Sequence, residues 1–348
     1  MIRKIAAAVL TIGLAGILLV AGWPQLLGLE LVPVVAHIVS LRAAAAVGAL
    51  AVLVALLLVA LMVPSFRRLG ASLSVLLFLF IAATGAVLAT RGFGSDDARP
   101  AADAEARTDA DADADDLTVL TWNTLGDAPG APEIARLALE TGADIVSLPE
   151  TTRETAIEIA LIMKGEGRPM WVHTLALDEI SKARSTSLLT SADLGMYSRD
   201  TSRGSTSAVP SVIVTPDDGT GPTIVAAHPV APITGYFDAW RQGLEWVKGA
   251  CTGENIIIAG DFNSTIDHYG RLANDSNSTI GDCVDAAQTT GAAAVGTWPT
   301  DVPPLLGTPI DHIMATDNWT ATHVRVILDR DGLGSDHRPL VATLSPTG

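Results

Sequence analysis

Gly334-Ser335-Asp336-His337-Arg338-Pro339 sets an acid and an imidazole side by side behind a flexible turn, and the apolar run Leu340 to Leu344 follows directly. Alone, the hexapeptide is a loop carrying a charged pair. Upstream, Trp122-Asn123, Pro149-Glu150, His228-Pro229, Gly260-Asp261-Phe262-Asn263 and Ile310-Asp311-His312 share a habit: polar side chains at the edge of a strand-like run. Asn123, Glu150, His228, Asp261 and Asn263 follow such runs, Asp311 opens or lies within one, and Asp336-His337 precede the last. Strand ends on one sheet edge let side chains far apart in sequence meet in a cleft, and that convergence is the prediction.

The flanking pattern agrees. Strand-like runs cover 117–122, 144–148, 170–173, 194–198, 211–214, 223–227, 255–259, 310–314, 324–328 and 340–344, while helical patterns cover 131–141, 151–163 and 236–250. Many strands with few helices between them predict packed sheets covered by helices.

Singly, each motif has an ordinary reading. Asp261 and Asn263 suit an Asx turn, Glu150 suits a helix cap near Thr151, and His228 suits a partly buried imidazole. Jointly they suit phosphoester chemistry. Glu150 and Asp336, with Asn123 beside them, supply the hard oxygen ligands that Mg2+ or Mn2+ prefers, and such a cation polarises a phosphoryl oxygen and steadies the leaving oxygen. His228 and His337 then donate hydrogen bonds to phosphate oxygens or move protons near neutral pH. Asp311 orients one imidazole, Asp261 holds or deprotonates the attacking water, and the Asn263 amide fixes the phosphate. His312, next to Asp311, should point to the opposite face of its strand and pack structurally. Trp298 and the pair Tyr236-Phe237 either line a substrate mouth or belong to the core.

At these residues the chain resembles the endonuclease/exonuclease/phosphatase superfamily, which includes DNase I-like nucleases, apurinic endonucleases, neutral sphingomyelinases and inositol polyphosphate phosphatases. The resemblance runs from about Leu117 to Leu344. Its most specific part is the ordered set Gly260-Asp261-Phe262-Asn263, Ile310-Asp311-His312 and Ser335-Asp336-His337-Arg338-Pro339. It implies a four-layered α/β/β/α sandwich and metal-assisted in-line attack of water on a phosphoester. Glu150 resembles the principal metal ligand, supported by Asn123 and Asp336. Asp261 matches the residue that positions the nucleophile and Asn263 the one that binds phosphate. His337 matches the histidine at the scissile phosphate with Asp311 as its partner, and His228 resembles the second histidine, often assigned as general acid. One departure is plain: the glutamate that pairs with that second histidine has no clear counterpart, Asp193 and Ser198 being only in roughly the right region.

Residues 1–91 have a different composition, nearly all Ala, Leu, Val, Ile and Gly. Three runs, about 5–21, 43–63 and 71–90, are long enough to span hydrocarbon, which takes about 20 helical residues, and they are apolar all round rather than on one face. They predict a three-helix anchor; a cleaved signal peptide is the alternative for the first run, because Arg3-Lys4 precedes it. Residues 23–40, broken by Pro24, Glu30, Pro33 and His37, either lie in the membrane interface or extend a helix. Arg3, Lys4, Arg67 and Arg68 place the N-terminus inside and the domain from 117 outside, with Arg42 and Arg91 weakening the bias.

Formal net charge is −16, from 22 basic and 38 acidic residues. Part of the acid falls in 92–116, where Asp-Ala repeats predict a self-repelling, disordered tether. The domain expected at 117–348, of a size for one unit, shows no Lys/Arg stripe of the kind that grips long nucleic acid. Its two cysteines, Cys251 and Cys283, are either a disulfide, as an exported domain allows, or two buried thiols, and close zinc-ligand spacing is absent. The expectation is a multi-pass cell-membrane phosphoesterase with an extracellular catalytic domain. Its substrate would be a nucleic acid, a phospholipid or a small phosphodiester, and no protein partner is evident. A non-catalytic receptor or scaffold on the same fold is the alternative.

Overall fold

The computed structural model describes residues 1–94, 115–178 and 180–347. The chain opens with α1 (Ile2–Gly22), the short α2 (Val35–Ser40), α3 (Arg42–Met62) and α4 (Arg67–Arg91). Three segments are long and apolar enough to cross a membrane: α1, α3 and 64–91, with mean hydropathy of 2.5, 2.9 and 2.3 in their most apolar windows. Each helix starts earlier than the apolar run that announced it, α3 by a single residue, because Arg3, Lys4, Arg42, Arg67 and Arg68 are good helix formers that a hydropathy window discounts.

The segment 23–40 folds onto the rest of the protein. Ala36 is fully buried among Trp240, Phe262 and Tyr269, and Arg241 Nε donates to Leu31 O at 2.8 Å. Of the tether expected at 92–116, residues 95–114 lie outside the described part. Its first residues are pinned, with Gly94 N donating to Gly291 O and Ala294 N to Gly92 O.

From residue 117 the order is β1 (Leu117–Thr121), α5 (Ala131–Glu140), β2 (Ile145–Pro149), α6 (Arg153–Gly165), β3 (Met170–Ala176), β4 (Ser185–Ser191), β5 (Tyr197–Arg199), β6 (Val212–Pro216), β7 (Thr223–Ala227), α7 (Phe237–Ala250), β8 (Ile256–Asp261), β9 (Val284–Asp285), α8 (Ala286–Thr290), β10 (Asp311–Ala315), β11 (Trp319–Val326) and β12 (Leu340–Pro346). Two six-stranded sheets result, β11-β12-β1-β2-β4-β3 and β5-β6-β7-β8-β10-β9. Within them β1–β2 and β7–β8 are parallel, and the remaining pairs are antiparallel.

Successive side chains of a strand face opposite ways, and the three cores follow that parity. Val119 and Ile145 meet Ile224, Ala226, Ile257, Ala259 and Ile313 between the sheets. Leu120, Val146 and Leu148 pack outward on α5 and α6 through Ile134, Leu137 and Ile159. On the far side, Val225, Ile256, Ile258 and Met314 pack on α7 through Trp240, Leu244 and Val247. The layering is the α/β/β/α sandwich that the family resemblance implies.

β4 escaped the apolar pattern because five of its seven residues are Ser or Thr, yet all seven are buried. Thr186 Oγ1 donates to Pro210 O and Ser187 Oγ to Thr151 O, which removes most of the cost of burying those two hydroxyls, while Thr190 Oγ1 is buried with no partner among the described residues. The short β9 and α8 also went unseen. Cys251 and Cys283 form a disulfide with Cα atoms 5.8 Å apart, closing a loop of sequence separation 32. It ties the end of α7 to the approach of β9, a crosslink worth about 3–4 kcal/mol on the chain-entropy model.

Candidate active site

The inter-sheet parity that sorts the core also sorts the chemistry. In β8 the odd residues Ile257 and Ala259 face the gap between sheets, so Asp261 does too. Asp311 stands directly opposite Asp261 in the β8–β10 register, sharing the face of Ile313. His312 therefore turns outward. Its Nδ1 lies 2.6 Å from Asp285 Oδ2 and its Nε2 2.9 Å from Ser264 O, between the rings of Phe262 and Tyr269. His228 follows β7, whose Ala227 pairs with Gly260, and Asn123 and Glu150 leave the parallel strands β1 and β2 on the same edge. Gly260 is required where it stands, since a Cβ would come within 1.9 Å of Ala227 O.

All eight side chains singled out in the sequence gather there. His337 Nδ1 lies 2.8 Å from Asp311 Oδ2, and its Nε2 is 3.8 Å from Asp261 Oδ2. His228 Nε2 is 3.9 Å from the same oxygen and 4.0 Å from Glu150 Oε1. Asp261 itself accepts from Asn263 N at 2.8 Å, Asn263 Nδ2 at 3.1 Å and Asn123 Nδ2 at 3.0 Å. Asn123 Nδ2 also reaches Glu150 Oε1 at 3.2 Å, while its oxygen accepts from Leu125 N. Asn123, expected as a metal ligand, thus turns its amide nitrogen to the two carboxylates. Asn263, expected on phosphate, gives its second amide hydrogen to Pro229 O. Glu150 and Asn263 both hold left-handed backbone, φ 58° and 48°, at about 1–3 kcal/mol each. The packing around them sustains that strain.

Burial and neighbouring charge set the protonation states. Burial pushes the Asp261 carboxyl up to about 7 against the pull of His337. Burial pushes His337 down, but the carboxylates of Asp311 and Asp261 outweigh it and hold the imidazole at about 10, hence charged at neutral pH. His228 has no such support: burial drives it to about 3, and its Nδ1 finds no partner among the described residues. Among the described residues no carboxylate is bonded to that nitrogen, and neither Asp193 nor Ser198 reaches the ring. His228 stands neutral, with Nε2 facing Asp261 and Glu150. Burial raises Glu150, helped by the charge of Asp336 and opposed by Asn123 and His337.

Several residues in or near the quoted motifs support the site in ways the sequence did not assign to them. Trp298 Nε1 donates to Asp336 Oδ2 at 2.8 Å, and Trp122 Nε1 donates to His337 O at 2.8 Å. Ser335 Oγ donates to Asn123 O and accepts from His337 N, joining the first motif to the last. Arg338 is almost fully buried and holds the rim 296–302 through the carbonyls of Gly296, Pro299, Thr300 and Val302, with Asp331 as its counter-ion. Of these, Trp298 reads in the sequence only as a lining of the substrate mouth or a core residue.

A two-sheet sandwich with carboxylates, amides and two imidazoles converging on one edge defines a class of phosphoester hydrolases. Residues 120–337 match the model of the Endonuclease/Exonuclease/phosphatase family, and the chain belongs to that family. It is accordingly an enzyme of the metal-dependent phosphoester hydrolase type. Among solved structures it is similar to the endonuclease/exonuclease/phosphatase from Beutenbergia cavernae DSM 12333, with 19% identity, TM-score 0.52, and coverage of 67% of this chain and 72% of that one. A family protein from Leptotrichia buccalis C-1013-b gives 14% identity and TM-score 0.50 over 66% of this chain and 99% of the other. At such identities the likeness is one of fold. No curated protein is matched by the sequence.

The residues fit the divalent cation that the family implies. Asp336 Oδ1 is buried with no hydrogen-bond partner among the described residues, and the mutual repulsion of Asp336 and Glu150 is what a cation between hard oxygens relieves. Ligand atoms of Asp261, Asp311 and His337 also lie within 4.8 Å of one another. There, however, both ring nitrogens of a charged His337 face carboxylates, leaving no lone pair for an ion.

Proposed function

We propose that the protein is a membrane-anchored, Mg2+-dependent phosphoesterase whose catalytic domain lies outside the cell. One observation carries the catalytic reading: Asp261 Oδ2 sits 3.8 and 3.9 Å from two different imidazole Nε2 atoms, gaps suited to a bridging water or phosphate oxygen. Asp261, close to half ionised at neutral pH, holds the attacking water and takes its proton. Asn263 and Asn123 brace that carboxylate. The charged His337, steadied by Asp311, and the neutral His228 donate hydrogen bonds to phosphoryl oxygens as charge builds on them. A cation held by Glu150 and Asp336, with Asn123 beside them, would polarise the phosphoryl group and stabilise the leaving oxygen; Mn2+ has the same preferences.

The charges at the helix ends support the orientation. Arg3, Lys4, Arg67 and Arg68 cluster at one end of the three-helix unit, as the positive-inside rule requires. Arg42 and Arg91, at the other end, are both bonded to Asp267 and so are tied to the domain rather than left free to hold that end in the cytoplasm.

The test is a panel of plasmid DNA, RNA, phospholipids and bis(p-nitrophenyl) phosphate, each with Mg2+ or Mn2+, using the full chain and His337→Ala. Hydrolysis of at least one substrate, lost in the variant, is expected. Binding of ligands without turnover of any member would favour the scaffold reading. Protease shaving of intact cells checks orientation, since the chain should be cut between 95 and 114 only if the domain lies outside.

A further inference from the structure

The anchor meets the domain at a particular place. Asp267 lies four residues past Asn263, in the loop that leaves β8, and is buried with two arginines on it. Arg42, at the start of α3, approaches at 2.7 Å, and Arg91, at the end of α4, at 2.6 Å. Gln25, just after α1, donates to Asp267 O at 2.7 Å. Three helix ends thus converge on one residue, two of them on its carboxylate. His268 next to it reaches Ala36 O and stacks edge-on against Trp240, whose Nε1 donates to Asn263 O.

The other anchor contacts fall on the same sheet edge. Phe237, at the start of α7 beyond His228, touches His37 of α2. The turn Pro304–Leu306, in the loop leading to Asp311, packs against α3, and Gly307 and Pro309 share a small cavity with Arg42 and Ala43. Every loop named here leaves or enters a strand at the end that carries His228, Asp261 or Asp311. Beside these contacts Ile233, Tyr236, Leu305 and Leu306 remain 37–55% exposed, although nearby apolar side chains of the domain are buried. An aqueous surface gains nothing from such a rim, whereas a bilayer surface does.

We propose that the clamp on Asp267 holds the mouth of the catalytic cleft against the membrane in which the anchor sits, and that the substrate is a lipid phosphodiester of that same bilayer. This rests on the phosphoesterase reading above. In the reaction, the water oxygen forms a new bond to phosphorus, one ester P–O bond breaks, and the water's proton ends on the leaving alcohol, giving an alcohol and a phosphomonoester. The rim explains how a domain without a basic stripe finds an anionic substrate: the anchor supplies proximity.

The full chain is reconstituted in vesicles of phosphatidylcholine and phosphatidylglycerol with Mg2+. Lipid hydrolysis is followed in its own vesicles and in protein-free vesicles added alongside, with bis(p-nitrophenyl) phosphate as the soluble probe. The lipids of its own bilayer should be consumed about tenfold faster or more than those of added vesicles. Leu305→Ser with Leu306→Ser, exposed positions that leave the fold intact, should lower lipid hydrolysis about tenfold and leave turnover of the probe unchanged. Asp267→Ala should act in the same direction. Turnover of the probe without turnover of the lipid overturns the proposal and leaves the phosphoesterase standing. Turnover of neither removes both.

Discussion

Asp311 Oδ2 and His337 Nδ1 lie 2.8 Å apart, buried, between the two sheets. The pair fixes the ring so that Nε2 faces Asp261, and it keeps the imidazole charged. Asp311→Asn keeps the shape and removes the charge. The expected result is a fall in kcat of about 10²- to 10⁴-fold with a much smaller change in KM, measured on bis(p-nitrophenyl) phosphate at saturating metal. An unchanged kcat would make the pair structural only.

Trp298 holds Asp336 by a single N–H. Trp298→Phe removes that donor and keeps most of the ring volume, so the carboxylate loses its orientation. Apparent Mg2+ affinity should fall about 10- to 100-fold, the usual effect of losing a partner of a metal ligand, and excess Mg2+ should restore most of kcat. Calorimetric titration of Mg2+ gives the affinity without reference to turnover.

Asp267 is the titrating group of the clamp. Burial alone would raise its carboxyl, but Arg91 and Arg42 more than reverse this and leave it at about 2, against 3.8 for a free side chain. A depressed folded-state value means stabilisation that is complete above about pH 4 and lost as pH falls toward 2, amounting to about 2 kcal/mol. Urea unfolding of the full chain in detergent should show wild type and Asp267→Asn converging over that interval. A gap that persists unchanged to the acid end would remove the clamp's electrostatic part.

The Cys251–Cys283 disulfide closes a long loop beneath α7. Replacing both cysteines by Ser should lower stability by about 2–4 kcal/mol without altering the Mg2+ affinity, because the crosslink lies at the C-terminal end of α7, whereas its first residue, Phe237, is the one near the cleft. Thermal unfolding with and without reductant reads the first effect directly: reductant should lower the wild-type midpoint and leave the double variant unmoved.

The site was more legible in the sequence than the sheet that supports it. Motif residues announce themselves as an ordered set of polar side chains at the ends of apolar runs, and parity then gives the facing, as for Asp311 and His312. β4 was illegible because a hydroxyl satisfied by a carbonyl in space looks like a loop residue in sequence. Arg42, Arg91 and Asp267 were illegible for a related reason. Read along the chain, the arginines only blurred the charge bias across the membrane. Their meaning lies in a carboxylate more than 170 residues downstream, which no local pattern reveals. The state of His228 was only partly foreseen: the missing glutamate was noticed, but the depth of burial that makes the ring neutral is a property of the packed sheets.

The most direct measurement of the central claim is hydrolysis of bis(p-nitrophenyl) phosphate by the purified full chain with Mg2+, with EDTA, and with Glu150→Gln in Mg2+. Steady turnover is predicted in the first case, none in the second, and a loss of about 10³-fold or more in the third. Turnover that survives EDTA, or a Glu150→Gln variant as fast as the wild type, would contradict it.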